Sequence, residues 1–352
     1  MRAGSAIEAY DRLLTSMRYR RVYDALPDGA QSKLVALPSD LSQTRLGLSS
    51  TTYNTLASEI TDIIHCAWSV NFNLHLSSFE RDSIAGLKHL IDLCLKAQRP
   101  APATFNFASS VSSVVNTKAT NIPEALPEKL SYAQEMGYAQ SKLVGEHLCV
   151  NAAQQTGIQA RVLRIGQVIG DHEHGIWNAT EAIPLMLQSA TTIGALPQLD
   201  ESPLWLPVDT VADSVIDISL PSSSSSCSSS RTGSANARSD AIFNIINPYS
   251  FHWTRDLLPY LHDAGLQFEP VEQREWLRRL RASNADPVAN PPIKLVEFFA
   301  GKYDTDKPRR TLNWQTELAR QASPALAESK PLDRGLVAKM VEYFQKEHWL
   351  SS

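Results

Sequence analysis

A chain of 352 residues, 43% of them apolar, is long enough to bury a large core as one big or two modest domains. A formal charge of −4 with interspersed signs offers no basic stripe for nucleic acid, and no apolar run approaches the ~20 residues of a membrane span. Cys66, Cys94, Cys149 and Cys227 have neither metal-ligand spacing nor a paired framework, and the amino terminus lacks a positive-then-apolar leader, so a reducing cytoplasmic setting is expected.

In chain order, Ser5 and Glu8 form a capping box, and Ile7, Tyr10, Leu14 and Met17 recur at helical spacing, which predicts an opening helix through Arg18. Leu34 to Leu37 predicts a short strand ending at Asp40–Leu41, and Ile63 to Ala67 a buried one ending at Trp68–Ser69. Ile84, Leu87, Ile91 and Leu95 mark a helix with a buried stripe, after which Pro100 and Pro102 break the chain before a strand over Thr104 to Ala108. A helix bearing Tyr138 continues through Leu143, Val144, Leu148 and Cys149, stops at Thr156–Gly157 and gives way to a strand over Ala160 to Ile165. Leu204 to Ala212 predicts a short strand running into a helix capped by Asp209. Pro221 to Asp240, nearly all Ser, Ala, Asn, Arg and Gly, cannot bury a core and is expected to be a disordered insertion. Ala241 to Ile246 resumes the sheet, and three helical stretches follow, the last with Leu336, Met340, Tyr343 and Phe344 on one face.

Strands alternating with helices at this spacing predict an α/β fold, a Rossmann-like doubly wound parallel sheet with a smaller, mostly helical substrate-side region. The expected division is a core over 1–220, the Ser-rich insertion over 221–240, and a final strand with a helical lid region over 241–352. Ligands of such sheets sit beyond the carboxyl ends of the strands, where Asp40, Ala67, Ser110 and Gly166 to Val168 fall. A dinucleotide fold normally starts with a strand and a Gly-rich turn that holds the pyrophosphate. Neither G-x-G-x-x-G nor G-x-x-G-x-x-G occurs among the fifteen glycines. The first βα unit is therefore expected to lie outside this sequence, the chain being either truncated or a natural remnant that binds cofactor poorly.

The chemistry-bearing constellation is Ser110, Tyr138 and Lys142. Residues four apart on a helix share a face, so the Tyr138 phenol and Lys142 ammonium can address one small site, and a Ser at the end of a preceding strand can reach it. Such a trio suits carbonyl reduction: a hydroxyl holds the substrate oxygen, a phenol protonates it and a cation eases the proton off. A Tyr-x-x-x-Lys pair alone proves little. Tyr303 and Lys307 share the spacing, but that stretch is polar and followed by Pro308, which predicts a surface loop.

The landmarks Arg2–Ala3 with Arg12, Asp40–Leu41, Leu46 to Ser49, Ile63 to Phe72 with its His-Cys-Ala-Trp block, Ser109–Ser110, Tyr138 to Lys142, Arg164 to Gly170, Trp205 to Asp209 and Trp349–Leu350 run almost end to end. In these the chain resembles the thioester reductase domains, extended short-chain dehydrogenase/reductases that end carboxylic acid reductases, fungal aminoadipate reductases and fungal nonribosomal-peptide-synthetase-like or polyketide enzymes. The resemblance implies NADPH-dependent reduction of an acyl thioester carried on the phosphopantetheine arm of a carrier protein, releasing an aldehyde or alcohol. It implies that Ser110 holds the carbonyl oxygen, Tyr138 donates the proton, and Lys142 binds the nicotinamide ribose and lowers the phenol's pKa. It further implies Arg2 and Arg12 at the adenosine 2'-phosphate, hence NADP, with solvated charges on an opening helix as the alternative. Asp40 and Leu41 would meet the adenine, Cys66, Ala67 and Trp68 the ribose, and Gly166, Gln167 and Val168 the nicotinamide side.

Other motifs point to ordinary structure. Leu46 to Ser50 superficially resembles a phosphopantetheine attachment site, but a loop and helix are expected there. His172 and His174 belong to a polar loop with no metal partners at helical spacing. Arg278, Arg279 and Arg281 near Trp276 read as a solvated helix face, with a carrier-docking patch as the weaker alternative. Two alternatives to the thioester reductase remain: a non-catalytic remnant, and an extended reductase acting on a free carbonyl.

Overall fold

Four strands form the central sheet in the spatial order β1 (Asp62–His65), β2 (Thr104–Ser110), β3 (Ala160–Ile165) and β4 (Ile242–Ile245). The first three run parallel, with Ile63 beside Phe105, Phe107 beside Val162, and Ser110 beside Ile165. Phe105, Phe107, Val162 and Leu163 are fully buried, as the continuous apolar runs of a covered parallel sheet require. The computed structural model describes residues 3–98, 102–221, 242–305 and 310–349.

Helices α1 (Ala6–Tyr19), α2 (Ser50–Glu59), α3 (Ala85–Lys96) and α4 (Gly137–Thr156) join the sheet in the first of two compact units, which comprises residues 1–165, 215–244 and 314–322. Ser5 and Ser49 cap α1 and α2 by accepting from the N–H groups of Glu8 and Thr52, and Gly157, at φ 76°, ends α4 in the left-handed conformation that glycine tolerates. The core here joins Leu87, Leu90, Ile91 and Cys94 of α3 to Phe105 and Phe107 of β2 and to Cys149 of α4. The contact of α4 with β2 is close: a Cβ on Gly145 would stand 2.8 Å from the Phe107 ring.

The second unit takes in residues 166–214, 245–313 and 323–352 around its own core, with Trp177, Trp205, Trp253, Trp276 and Trp349 among its buried residues. The strand Ala195–Gln198 pairs in parallel with Glu269–Glu272. The helix Arg334–Glu347 buries Leu336, Met340, Tyr343 and Phe344, the face its spacing predicted.

Several expectations need correction. Leu34 to Leu37 is extended at Leu34, yet residues 34–40 join no sheet among the described residues. Ile7 stands 76% exposed and Ala9 alone is buried in α1, so the period found the helix but not its burial. Leu95, counted in the buried stripe of α3, is 42% exposed because Leu87, Leu90, Ile91, Leu93 and Cys94 already form the inward face. Tyr303 is no surface-loop residue: it ends the helix Val296–Tyr303 and is 2% exposed against Trp276 and Phe299. The mostly helical region also holds the short strand Glu269–Glu272, and Gly166–Ser214 groups with it. Of the Ser-rich stretch, all but Pro221 lies outside the described residues, as do Arg2 and Lys307.

Candidate active site

Ser110, Tyr138 and Lys142 meet at the carboxyl end of β2. The strand delivers Ser110 at its last position, where the residue also caps a short turn, its hydroxyl accepting from the N–H of Ser112 at 3.2 Å. Tyr138 is the second residue of α4, whose first, Gly137, lies against the backbone of Leu74 to Leu76; a Cβ there would come within 2.3 Å of the Leu74 carbonyl. This close approach fixes where the phenol emerges. The Ser110 hydroxyl lies beside the Tyr138 phenol, near enough to favour its ionised form.

Lys142, one turn along α4, is 4% exposed. Its Nζ donates to the Ala108 carbonyl at 2.6 Å and lies 4.4 Å from the Trp68 ring centroid, 4.8 Å from that of Phe107 and 5.8 Å from that of Tyr138. Aromatic faces and one carbonyl replace water around the cation only in part. Burial pulls its pKa down to about 7, against the opposing pull of Cys66 and Glu146. The expected lowering of the Tyr138 pKa does not appear. Burial raises it, with the neighbouring Ser110 hydroxyl opposing, so the phenol keeps its proton at neutral pH.

Trp68 is fixed by its indole N–H, which donates to Ser141 Oγ at 3.1 Å. Cys66 and Ala67, just beyond β1, are exposed. His65 at the end of β1 is 4% exposed, stacks on Phe107, and has no partner for Nε2. Burial and the Lys142 charge push its pKa down to about 4, so the ring is neutral. Phe72 sets its ring edge-on to Tyr138 at 5.3 Å.

Asp40 lines a separate cavity of about 580 Å³ with Gly4, Ser39, Ser42, Gln43, Gly47, Arg81 and Asp82, within the ~300–1,000 Å³ range of small-molecule sites. The Asp40 carboxylate accepts from the Ser42 N–H and hydroxyl and from Gln43 Nε2, bonds that lower its pKa, and Arg81 adds to this. The loop closing this side holds Arg45, Leu46 and Gly47 in succession at φ 57°, 60° and 67°, a strained backbone of the kind that clusters at ligand sites. Leu41 is packed under α3, its carbonyl 2.9 Å from His89 Nδ1 and its Cβ 2.8 Å from where a Cβ on Gly86 would stand. A cavity with an ionised acceptor, amide and hydroxyl groups and a guanidinium fits the adenosine end of a nicotinamide dinucleotide. Arg12 lies on the exposed face of α1.

Gly166, Gln167 and Val168 belong to the second unit. The Gly166 N–H donates to the Ile245 carbonyl, the Gln167 carbonyl accepts from Leu206, and Val168 pairs with Leu206 in a short parallel ladder. In the same unit His172 is a solvated loop residue whose Nδ1 lies 2.9 Å from an Asp209 carboxylate oxygen. Arg278 and Arg279 are paired with Glu275 and Glu269 and Arg281 lies beside Glu297 and Asp304, which neutralises the basic run. No group of His, Cys, Asp and Glu among the described residues could hold a metal ion.

Three site features escaped the sequence reading: Arg81, Phe72 and Glu146. Only Glu146 carried a usable signal, since it continues the i, i+4, i+8 row of Tyr138 and Lys142.

The model of the male sterility protein family matches residues 1–215, more than half of the chain and all of the Ser110, Tyr138 and Lys142 site. The chain belongs to this family of NAD(P)-binding reductases. Among relatives, adenylate-forming reductase Nps10 of Heterobasidion annosum is 30% identical over 304 residues, covering 84% of this chain and 26% of that protein. The chain thus spans about a quarter of the length of that relative. Two solved structures share the fold. The terminal R domain from the myxalamid PKS-NRPS biosynthetic pathway matches with a TM-score of 0.81 at 20% identity, over 100% of this chain and 84% of that one. A thiolation-reductase di-domain from an archaeal non-ribosomal peptide synthetase matches with a TM-score of 0.70 at 16% identity, over 98% and 69%. No described helix is long and apolar enough to cross a membrane.

Proposed function

We propose that this chain catalyses NADPH-dependent reduction of a carrier-bound acyl thioester, releasing an aldehyde, or an alcohol after a second round. The observation that carries the reading is the convergence of the Ser110 hydroxyl and the Tyr138 phenol beside the Lys142 ammonium at the end of a parallel strand. The names of the relatives, reductases of adenylate-forming and synthetase enzymes, favour it over a non-catalytic remnant or a free-carbonyl reductase.

In this reading the Ser110 and Tyr138 hydroxyls donate to the thioester carbonyl oxygen and polarise it. The hydride that adds to the carbonyl carbon comes from NADPH when it is bound. Tyr138 gives its proton to the oxygen as negative charge develops there, and Lys142 stabilises the phenolate left behind. The resulting hemithioacetal collapses: its hydroxyl loses a proton, the C=O bond re-forms, the C–S bond breaks, and the pantetheine sulfur leaves as a thiol. Ser110, Tyr138 and Lys142 are the proposed catalytic residues. Asp40, Leu41, Cys66, Ala67, Trp68, Gly166, Gln167 and Val168 are the proposed cofactor contacts, with Tyr138 and Lys142 shared. NADP over NAD rests on the arginines, Arg2 and Arg12 by resemblance and Arg81 in the cavity of Asp40. The archaeal di-domain pairs a thiolation and a reductase domain, which supports a carrier protein as partner.

The test incubates the purified chain with an acyl-pantetheine thioester and either NADPH or NADH, following nicotinamide absorbance and aldehyde together. NADPH-dependent aldehyde is expected, with Tyr138→Phe slower by about 10²-fold or more. Full activity in Tyr138→Phe, or equal use of NADH, would remove the proposed acid or the proposed cofactor choice.

A further inference from the structure

Glu146 and Arg164 form an ion pair with both side chains at 0% exposure. Arg164 Nε lies 3.1 Å from each carboxylate oxygen and one terminal nitrogen donates to Oε2 at 2.7 Å, while the guanidinium also donates to the carbonyls of Pro123 and Ala125. Glu146 Oε1 additionally accepts from Ser109 Oγ at 2.6 Å and from Ser113 Oγ at 2.6 Å. Those two serines flank Ser110, and Ser113 Oγ is also 2.8 Å from the Ser110 carbonyl. One carboxylate on the helix of Tyr138 thus grips the strand end and the turn that carry Ser110.

Resting on the reductase reading of this site, we propose that Glu146, held by Arg164, is a positioning residue that sets the Ser110 hydroxyl against the Tyr138 phenol. Taking a carboxylate and a guanidinium out of water is expensive, and apolar residues of similar volume often fill such a place with no loss of stability. What an apolar pair cannot supply is a directional acceptor for two hydroxyls on either side of Ser110. Catalytic geometry is sensitive to misplacement on this scale, about 1 Å costing ~10²-fold. Glu146 also pulls against the fall of the Lys142 pKa, so its charge is felt at the amine as well as at the turn of Ser110.

The experiment uses two variants of the full chain. Glu146→Met/Arg164→Met replaces the pair by apolar residues; it is expected to melt no lower than the wild type, to keep KM for NADPH within about twofold, and to lose at least roughly tenfold in kcat. Ser113→Ala removes one grip only, and Tyr138 ionisation is then followed by ultraviolet difference titration against Tyr138→Phe in the same background, without cofactor. A Tyr138 titration moved to higher pH is expected, because the loosened turn lets the Ser110 hydroxyl drift from the phenol whose ionised form it favours. A folded double variant with wild-type kcat, or an unchanged Tyr138 titration in Ser113→Ala, would overturn the proposal. If the double variant does not fold, the titration decides. A wild-type chain that reduces no thioester would instead count against the reductase reading, and the titration would still judge the positioning role.

Discussion

Two buried bases near Tyr138 both make stability rise with pH, each in its own window. His65 has a folded pKa of about 4, below its ordinary 6.5, so unfolding takes up a proton anywhere between those values. Stability is therefore complete above pH 6.5 and falls, by on the order of 3 kcal/mol, as pH drops toward 4. In His65→Phe, which keeps a ring against Phe107, the melting temperature should fall less over that interval. Lys142 has a folded pKa of about 7 against its ordinary 10.5, so its buried charge weakens the fold most below pH 7, and that cost is relieved as pH rises toward 10.5. Lys142→Met should thus exceed the wild type in stability by most below pH 7, with the gap narrowing upward. A gap independent of pH would mean that the amine is not desolvated. At this scale the sequence spoke through spacing: it joined Tyr138 to Lys142 and brought Ser110 to them. It could not reveal how far burial outweighs a neighbouring cation, because that depends on Trp68 and Phe107 closing over the amine.

Helix α4 shows why some elements were easier to read than others. It buries Ala139, Leu143, Cys149 and Val150 together with Ser141, Lys142 and Glu146, so polar residues occupy its inward face and no clean apolar stripe marks it. Its ends were legible all the same, since Gly157 supplies the stop and the Tyr138 row the start. Strands β2 and β3 were legible as apolar runs bounded by breakers. The strand Glu269–Glu272 was not, because its polar sequence gives no period and only pairing with Ala195–Gln198 makes it a strand. Gly145 is the residue that lets α4 settle on β2. Gly145→Ala should cost ~1–3 kcal/mol by overpacking against Phe107, despite the better helix propensity of alanine. Urea denaturation would measure it, and no loss, or a gain, would show that α4 can shift freely off the sheet.

The sequence divided the whole molecule at one point near the Ser-rich stretch, whereas the chain alternates between its units in three stretches each. Nothing local marks such returns. A crossing is decided by which core a segment's apolar residues complete, and Trp205 or Phe251 looks no different in sequence from a residue of the first core. The two cores can be watched separately. Five of the seven tryptophans are buried in the second, while Cys94 and Cys149 are fully buried in the first. In a Cys66→Ser/Cys227→Ser background, denaturant titration followed by tryptophan fluorescence and by thiol labelling should give midpoints that do not coincide. Coincident curves would mean that the units unfold as one.

The position of β4 bears on how the protein is made. A ribosome delivers β1, β2 and β3 within the first 165 residues, but the neighbour of β3 is not synthesised until residue 242. At ~5–20 residues per second, the nascent sheet waits several seconds with the hydrogen-bonding groups of β3 open on one side. During that interval the half-built sheet is a template for any passing strand, so yield in the cell should respond to translation speed and chaperone supply before it responds to the stability of the finished fold.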